Sequence, residues 1–167
     1  MLITPITIAF AVFAIFCLGG ALGVVLSRNL VHAALYLVLA LFGVAGFFIL
    51  LEAPFLAIVQ ILVYVGAIAV LITITIMVTR RIMGITENVN RNWPIGLLAA
   101  ALVLALLGFT LMGSFSGVTP LAEVPPDTVE QIGRAFVAHQ GFLVPFELAS
   151  VLLLAALIGA IVVARDA

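Results

Sequence analysis

Three residues with chemical capacity fall close together in an uncharged run, "AIVQILVYVGAIAVLITITIMV" from Ala57 to Val78: Gln60, Tyr64 and Gly66. An amide and a phenol four residues apart share one face of a helix. In hydrocarbon their unpaired hydrogen-bonding groups cost several kcal/mol, so that face must meet another helix or water. Gly66 weakens a helix by about 1 kcal/mol relative to Ala. In a membrane it permits close helix approach, or a local π-bulge where the i→i+4 ladder slips. Thr73 and Thr75 can back-bond to carbonyls and soften the same helix. Ordinary packing through small and polar residues, and a deformable turn facing water, both account for the pattern.

Two carboxylates extend the set. Glu147 follows Pro145 by two residues in "FLVPFELASVLLLAALIGAIVVARDA". A carboxylate at a helix centre costs about 2.5–3.5 kcal/mol on insertion scales, and less near an end. Glu147 is either favoured by its own helix dipole or a protonatable site facing a hydrated path, with Ser150 placed to share a water. Glu52, just before Pro54, sits where an acid caps the start of the next helix. Gly19 and Gly23 in "CLGGALG" form a GxxxG pattern that reads as close packing.

Other chemistry is missing. No phosphate-binding glycine loop, Cys cluster or paired His at metal spacing occurs. "GSFSG" (113–117) has Phe115 where a nucleophile elbow needs Ser. His32, read as an interfacial residue, and His139 fall near opposite membrane faces, so they cannot share a haem. Cys17, the single cysteine, excludes an internal disulfide or thiolate metal site.

These residues must be positioned by membrane helices. With 66% hydrophobic and only 8% charged residues over 167, and a mean hydropathy of +1.48, the chain belongs in lipid. A net charge of −1 and the lack of a basic run argue against a nucleic-acid partner. Residues 1–26 lack a positive n-region and stay apolar too long for a signal peptide, so they are read as a retained span. About 20 apolar residues cross a bilayer, and five stretches qualify: roughly 3–26, 30–51, 54–78, 94–115 and 141–164. Pro54, Pro94 and Pro145 stand near helix starts, where a missing N–H costs nothing. Backbone satisfaction requires these spans to be α-helices. The fold expected over 1–167 is a single all-α, polytopic membrane domain. The acidic loop 116–140, with Pro120, Pro125 and Pro126, is expected to be mostly irregular and extramembranous. With the N-terminus outside and the C-terminus inside, Arg28, Arg80, Arg81, Arg91 and Arg165 fall on the inner face and only Arg134 outside.

The segments "FLAIVQILVYVGAIAVL" (55–71), "PFELASVLLLAALIGAIVVAR" (145–165) and "LGVVLSRNLVHAALYLVLAL" (22–41) resemble the J subunit, or chain 6, family of proton-pumping NADH-quinone oxidoreductase, respiratory complex I, with its plastid and cyanobacterial relatives. The likeness covers about residues 10–80 and 141–166; the fourth span and both longer loops match nothing specific. It implies a non-redox subunit of a translocase in an energy-coupling membrane, most simply the bacterial plasma (inner) membrane. NADH, FMN, iron–sulfur clusters and quinone would then be handled by the whole complex, with no cofactor in this chain. The implied partners are K-type, A-type, H-type and antiporter-like subunits. The resemblance also implies a π-bulge around Tyr64 to Gly66 that switches to α form and gates a water path near the quinone end. Tyr64, Gln60, Glu147 and Glu52 would line the proton path. A π-bulge shifts later side chains by some 100° around the axis, enough to exchange an apolar plug for polar groups. Rival readings are a purely structural anchor, and the homologous subunit of a membrane-bound hydrogenase or cation/proton antiporter complex.

Overall fold

Proline opens the first and third helices, each at a position whose N–H has no intrahelical acceptor. A computed structural model describes residues 4–79, 93–115, 125 and 127–165. Five helices in it are long and apolar enough to cross a membrane. They are α1 (Pro5–Leu26), α2 (Leu30–Leu50), α3 (Pro54–Thr79), α4 (Trp93–Phe115) and α6 (Leu143–Arg165), with a shorter α5 (Thr128–Val137) ahead of the last. No strand occurs among the described residues. The expected spans agree to within about two residues at each described end. Arg80, Arg81 and Arg91, on which the orientation count leans, lie outside the described residues, as do Pro120, Glu123 and Pro126.

The turn between α1 and α2 is closed by side chains. The Ser27 hydroxyl donates to the Asn29 carbonyl at 3.0 Å, and the Asn29 side chain accepts from the Val31 N–H at 3.0 Å as the N-cap of α2. The two helices then run antiparallel along a seam of small residues. A Cβ at Gly20 would stand 2.6 Å from the Ala40 backbone nitrogen, and one at Gly43 would stand 2.6 Å from that of Cys17. Backbone meets backbone at both places, which only glycine allows. This corrects the expected motif. Gly19 has nothing within 4 Å, and the packed glycines of α1 are Gly20 and Gly23. A GxxxG spacing gives the period of a packed face without saying which of two adjacent glycines lies on it.

α3 also packs on α2. Between α2 and α3, Glu52 adopts φ 55°, the left-handed region. Its N–H donates to the Ile49 carbonyl at 3.1 Å, and the Ala53 N–H donates to the Phe48 carbonyl at 2.9 Å. That pair of bonds is a Schellman ending of α2, with Glu52 in the place usually held by glycine. The helix-start role expected for Glu52 is therefore corrected: the N-cap of α3 is Ala53, and no side chain caps it.

The acidic loop also departs from expectation, since its second half forms α5. The prolines that argue against helix all precede position 127. Beyond them, Val129, Ile132 and Phe136 fall on one face at helical spacing, and Glu130 pairs with Arg134 at 2.5 Å on the exposed side. α5 docks on the start of α6: the rings of Phe136 and Phe146 stack at 6.0 Å, and the Phe142 N–H donates to the Ala135 carbonyl at 2.8 Å.

Candidate functional site

The middle of α3 is wound as a π-helix from Gln60 to Ala69, with α-helical turns before and after it. A π-helix bonds i to i+5 and usually appears as a single widened turn at a functional place. Here it extends over ten residues and contains Gln60, Tyr64 and Gly66 together. The composition explains why the chain tolerates it at Gly66. A Cβ there would approach the Ile61 carbonyl oxygen, five residues earlier, at 3.2 Å. Glycine at this position avoids that close approach.

The two ends of the π segment are held differently. At its start, Gln60 is buried, 7% exposed, and its Nε2 donates to the Leu41 carbonyl of α2 at 3.4 Å. The amide thus escapes the cost of an unpaired polar group in an apolar setting. At the other end, the Thr73 hydroxyl donates to the Ala69 carbonyl at 2.7 Å, and Thr75 does the same to Leu71 at 2.8 Å. These back-bonds supply extra donors just where the ladder returns to α spacing.

Tyr64 sits four residues after Gln60 but does not share its burial: 48% of it is exposed. Gln60 meets α2, while Tyr64 opens outward. Glu147 is exposed in the second turn of α6, one residue beyond the stacked Phe146. The neighbouring Ser150 hydroxyl donates to the Phe146 carbonyl at 3.2 Å. No hydrogen bond or ion pair among the described residues joins Glu147, Tyr64 and the Glu52 side chain to one another. The structure brings Gln60, Tyr64 and Gly66 into one π-wound segment, and Glu52 and Glu147 lie outside it.

Two features escaped sequence reasoning. The acceptor of Gln60 is a main-chain carbonyl, which no residue type announces. The left-handed backbone of Glu52 had no signal either, because glycine or asparagine normally marks such a position. Among the described residues, no group of His, Cys, Asp and Glu is arranged to hold a metal ion.

A π-helix carrying Gln60, Tyr64 and Gly66 in the third of five spans coincides with a match between residues 20–163 and the model of NADH-ubiquinone/plastoquinone oxidoreductase chain 6. The chain belongs to this family. It is 41% identical over 162 residues to F(420)H(2) dehydrogenase subunit J of Methanosarcina mazei, covering 95% of this chain and 90% of that protein. It is also 41% identical over 162 residues to NAD(P)H-quinone oxidoreductase chain 6 of Leptolyngbya boryana, covering 95% and 79%. Identity to NADH-quinone oxidoreductase subunit J of Rhodobacter capsulatus is 36% over 163 residues, covering 95% and 81%. Membership in the chain 6 family makes this integral membrane protein one subunit of a multi-subunit oxidoreductase, with the other subunits as its partners.

Proposed function

We propose that the chain is a non-redox membrane-arm subunit that couples quinone reduction to proton translocation, its α3 switching between π and α winding to open or close a water path near the quinone end. The ten-residue π segment built around Gly66 carries this reading. A helix with two windings separated by a few kcal/mol is a usable switch. Conversion to α form past Gln60 rotates the following side chains by some 100°, which moves Tyr64 and the residues beyond it while the Gln60 amide stays tied to α2. Tyr64, Gln60, Glu147 and Glu52 are the residues proposed to serve the proton path, with the N-terminus outside and the C-terminus inside. Relatives named for an F420H2 dehydrogenase and for a NAD(P)H-quinone oxidoreductase are equally identical to this chain, 41% each. That equality supports a role on the membrane side of the complex, independent of the donor. The residues present do not fit an iron–sulfur role: Cys17, the lone cysteine, lies against Gly43 in the α1–α2 seam.

The adjacent subunits are proposed to be K-type, A-type, H-type and antiporter-like, in a bacterial plasma membrane. The test is Gly66→Leu in the assembled complex. A side chain at that position crowds the Ile61 carbonyl and favours α winding, so proton pumping should fall about ten-fold or more while electron transfer to artificial acceptors stays within about two-fold, a loss of about 1.4 kcal/mol or more in the coupled step against under 0.5 kcal/mol in the uncoupled one. An unchanged proton-to-electron ratio in Gly66→Leu would leave the purely structural anchor as the better account.

A further inference from the structure

α5 carries one apolar face that the chain leaves largely uncovered. Val129, Ile132 and Phe136 lie within about 60° of one another around its axis, while Glu130, Gln131 and Arg134 occupy the other side. Val129 is 50% exposed and Phe136 36%. A sharply two-sided helix of modest overall hydrophobicity is the kind that lies in the surface plane of a bilayer.

The junction with α6 fixes which way that face looks. The Phe142 N–H donates to the Ala135 carbonyl at 2.8 Å. A Cβ at Gly141 would collide with the same carbonyl oxygen, so glycine lets the turn close this tightly. The bond holds the end of α5 beside the entrance of α6, at the boundary of a membrane-length span. From there the Phe136 ring reaches Phe146, with centroids 6.0 Å apart. Phe146 stands about 6 Å further along α6 than Phe142, and so deeper in the bilayer. The apolar face of α5 is therefore turned toward hydrocarbon, and the Glu130–Arg134 pair toward water. Nor does α5 continue down α6: beyond Phe146 every described residue of α6 is exposed, Leu148 at 63% and Val151 at 60% among them. α5 stays at the entrance level, where Phe142 and Val144 extend its apolar face onto α6.

Charge does not select the headgroup. The one Arg of α5 is engaged by Glu130, and Asp127 stands at the cap. Apolar burial is what this helix offers a membrane.

We propose that α5 is an interfacial anchor: its Val129–Ile132–Phe136 face rests on bilayer phospholipid at the level of the headgroups and upper acyl chains, whatever the headgroup charge, and fixes how deep the first turn of α6 enters. The site stands independently of the helix switch in α3.

The test uses the assembled complex in phosphatidylcholine vesicles, with p-benzoylphenylalanine in place of Val129 or, in a second sample, of Gln131. Irradiation should give about five-fold more lipid adduct from position 129 than from position 131, read by mass spectrometry. The ratio should hold in about 1 M salt, where the Debye length is about 3 Å, and should not rise when phosphatidylglycerol replaces part of the lipid. If the bulkier residue at 129 blocks assembly, a photoactivatable phosphatidylcholine and the unmodified complex carry the test, with labels expected on Val129 and Ile132 rather than on Gln131 and Arg134. Adducts from position 129 to another subunit, equal lipid adducts from the two positions, loss of the ratio in salt, or labels confined to α6 would each overturn the proposal.

Discussion

The N-terminal helices α1–α3 and the C-terminal helices α4 and α6 are similarly apolar, but they treat their small residues in opposite ways. In the first group, Gly20 and Gly43 bring backbones together, Gly46 receives the Phe13 ring, and Gln60 ties α3 to α2. In the second group, Gly96, Gly108, Gly113 and Gly159 each face open space, and the apolar core of each span has no buried residue. Among the described residues, α6 packs chiefly on α5. Lipid tails are as apolar as leucine, so hydropathy drives insertion but does not draw helices together; small residues and hydrogen bonds do that. The N-terminal unit finds its packing partners within the chain. For α4 and α6, the family's multi-subunit setting supplies a reason why their small residues are open: other subunits can fill them.

The strongest way to break this contrast is to place the same substitution in each half. Gly43→Leu drives a side chain into the Cys17 backbone and should destabilise the α1–α2 hairpin by about 3 kcal/mol or more, read as a collapse of thermal stability in the chain alone. Gly108→Leu should leave the chain alone unchanged and lower only the yield of assembled complex. Equal sensitivity of the isolated chain to both changes would abolish the distinction.

Smaller effects sharpen it. Glu52→Gly relieves a left-handed backbone that costs a non-glycine residue about 1 kcal/mol, so the melting temperature should rise; a fall would show that the carboxylate holds something in place. Gln60→Leu removes the amide bond to Leu41 and should cost about 0.6–1 kcal/mol, in the range of interhelical polar contacts in membranes. Hydrogen exchange at the start of the π segment reports it. Arg134→Ala breaks an exposed pair on α5, 79% and 59% exposed, and should change stability by less than about 0.5 kcal/mol, checked by the same melting measurement. A larger effect there would mean that this face of α5 is not simply solvated.

Much of this architecture was readable from residue types. Five long apolar stretches, four of them uncharged and the fifth carrying only Glu147, marked the spans because a bilayer imposes one length on them. Gly66 beside Tyr64 marked the place where α3 changes winding. Proline at 120, 125 and 126 drew attention to the wrong half of the acidic loop, since the amphipathic spacing of Val129, Ile132 and Phe136 lies entirely beyond it.

Sequence by itself determined that the chain lives in a membrane and how many membrane-length helices it has, and its family resemblance pointed to the helix that carries the π turn. The first two follow from local properties: side-chain transfer energies and the missing N–H of proline. Only the tertiary structure decided that Gly20 rather than Gly19 faces α2, that Gln60 spends its amide on the Leu41 carbonyl, and that Glu52 ends one helix instead of starting the next. Those outcomes depend on which neighbour occupies the space beside each residue, and a helix's rotation about its own axis is fixed by that neighbour and by nothing in its composition.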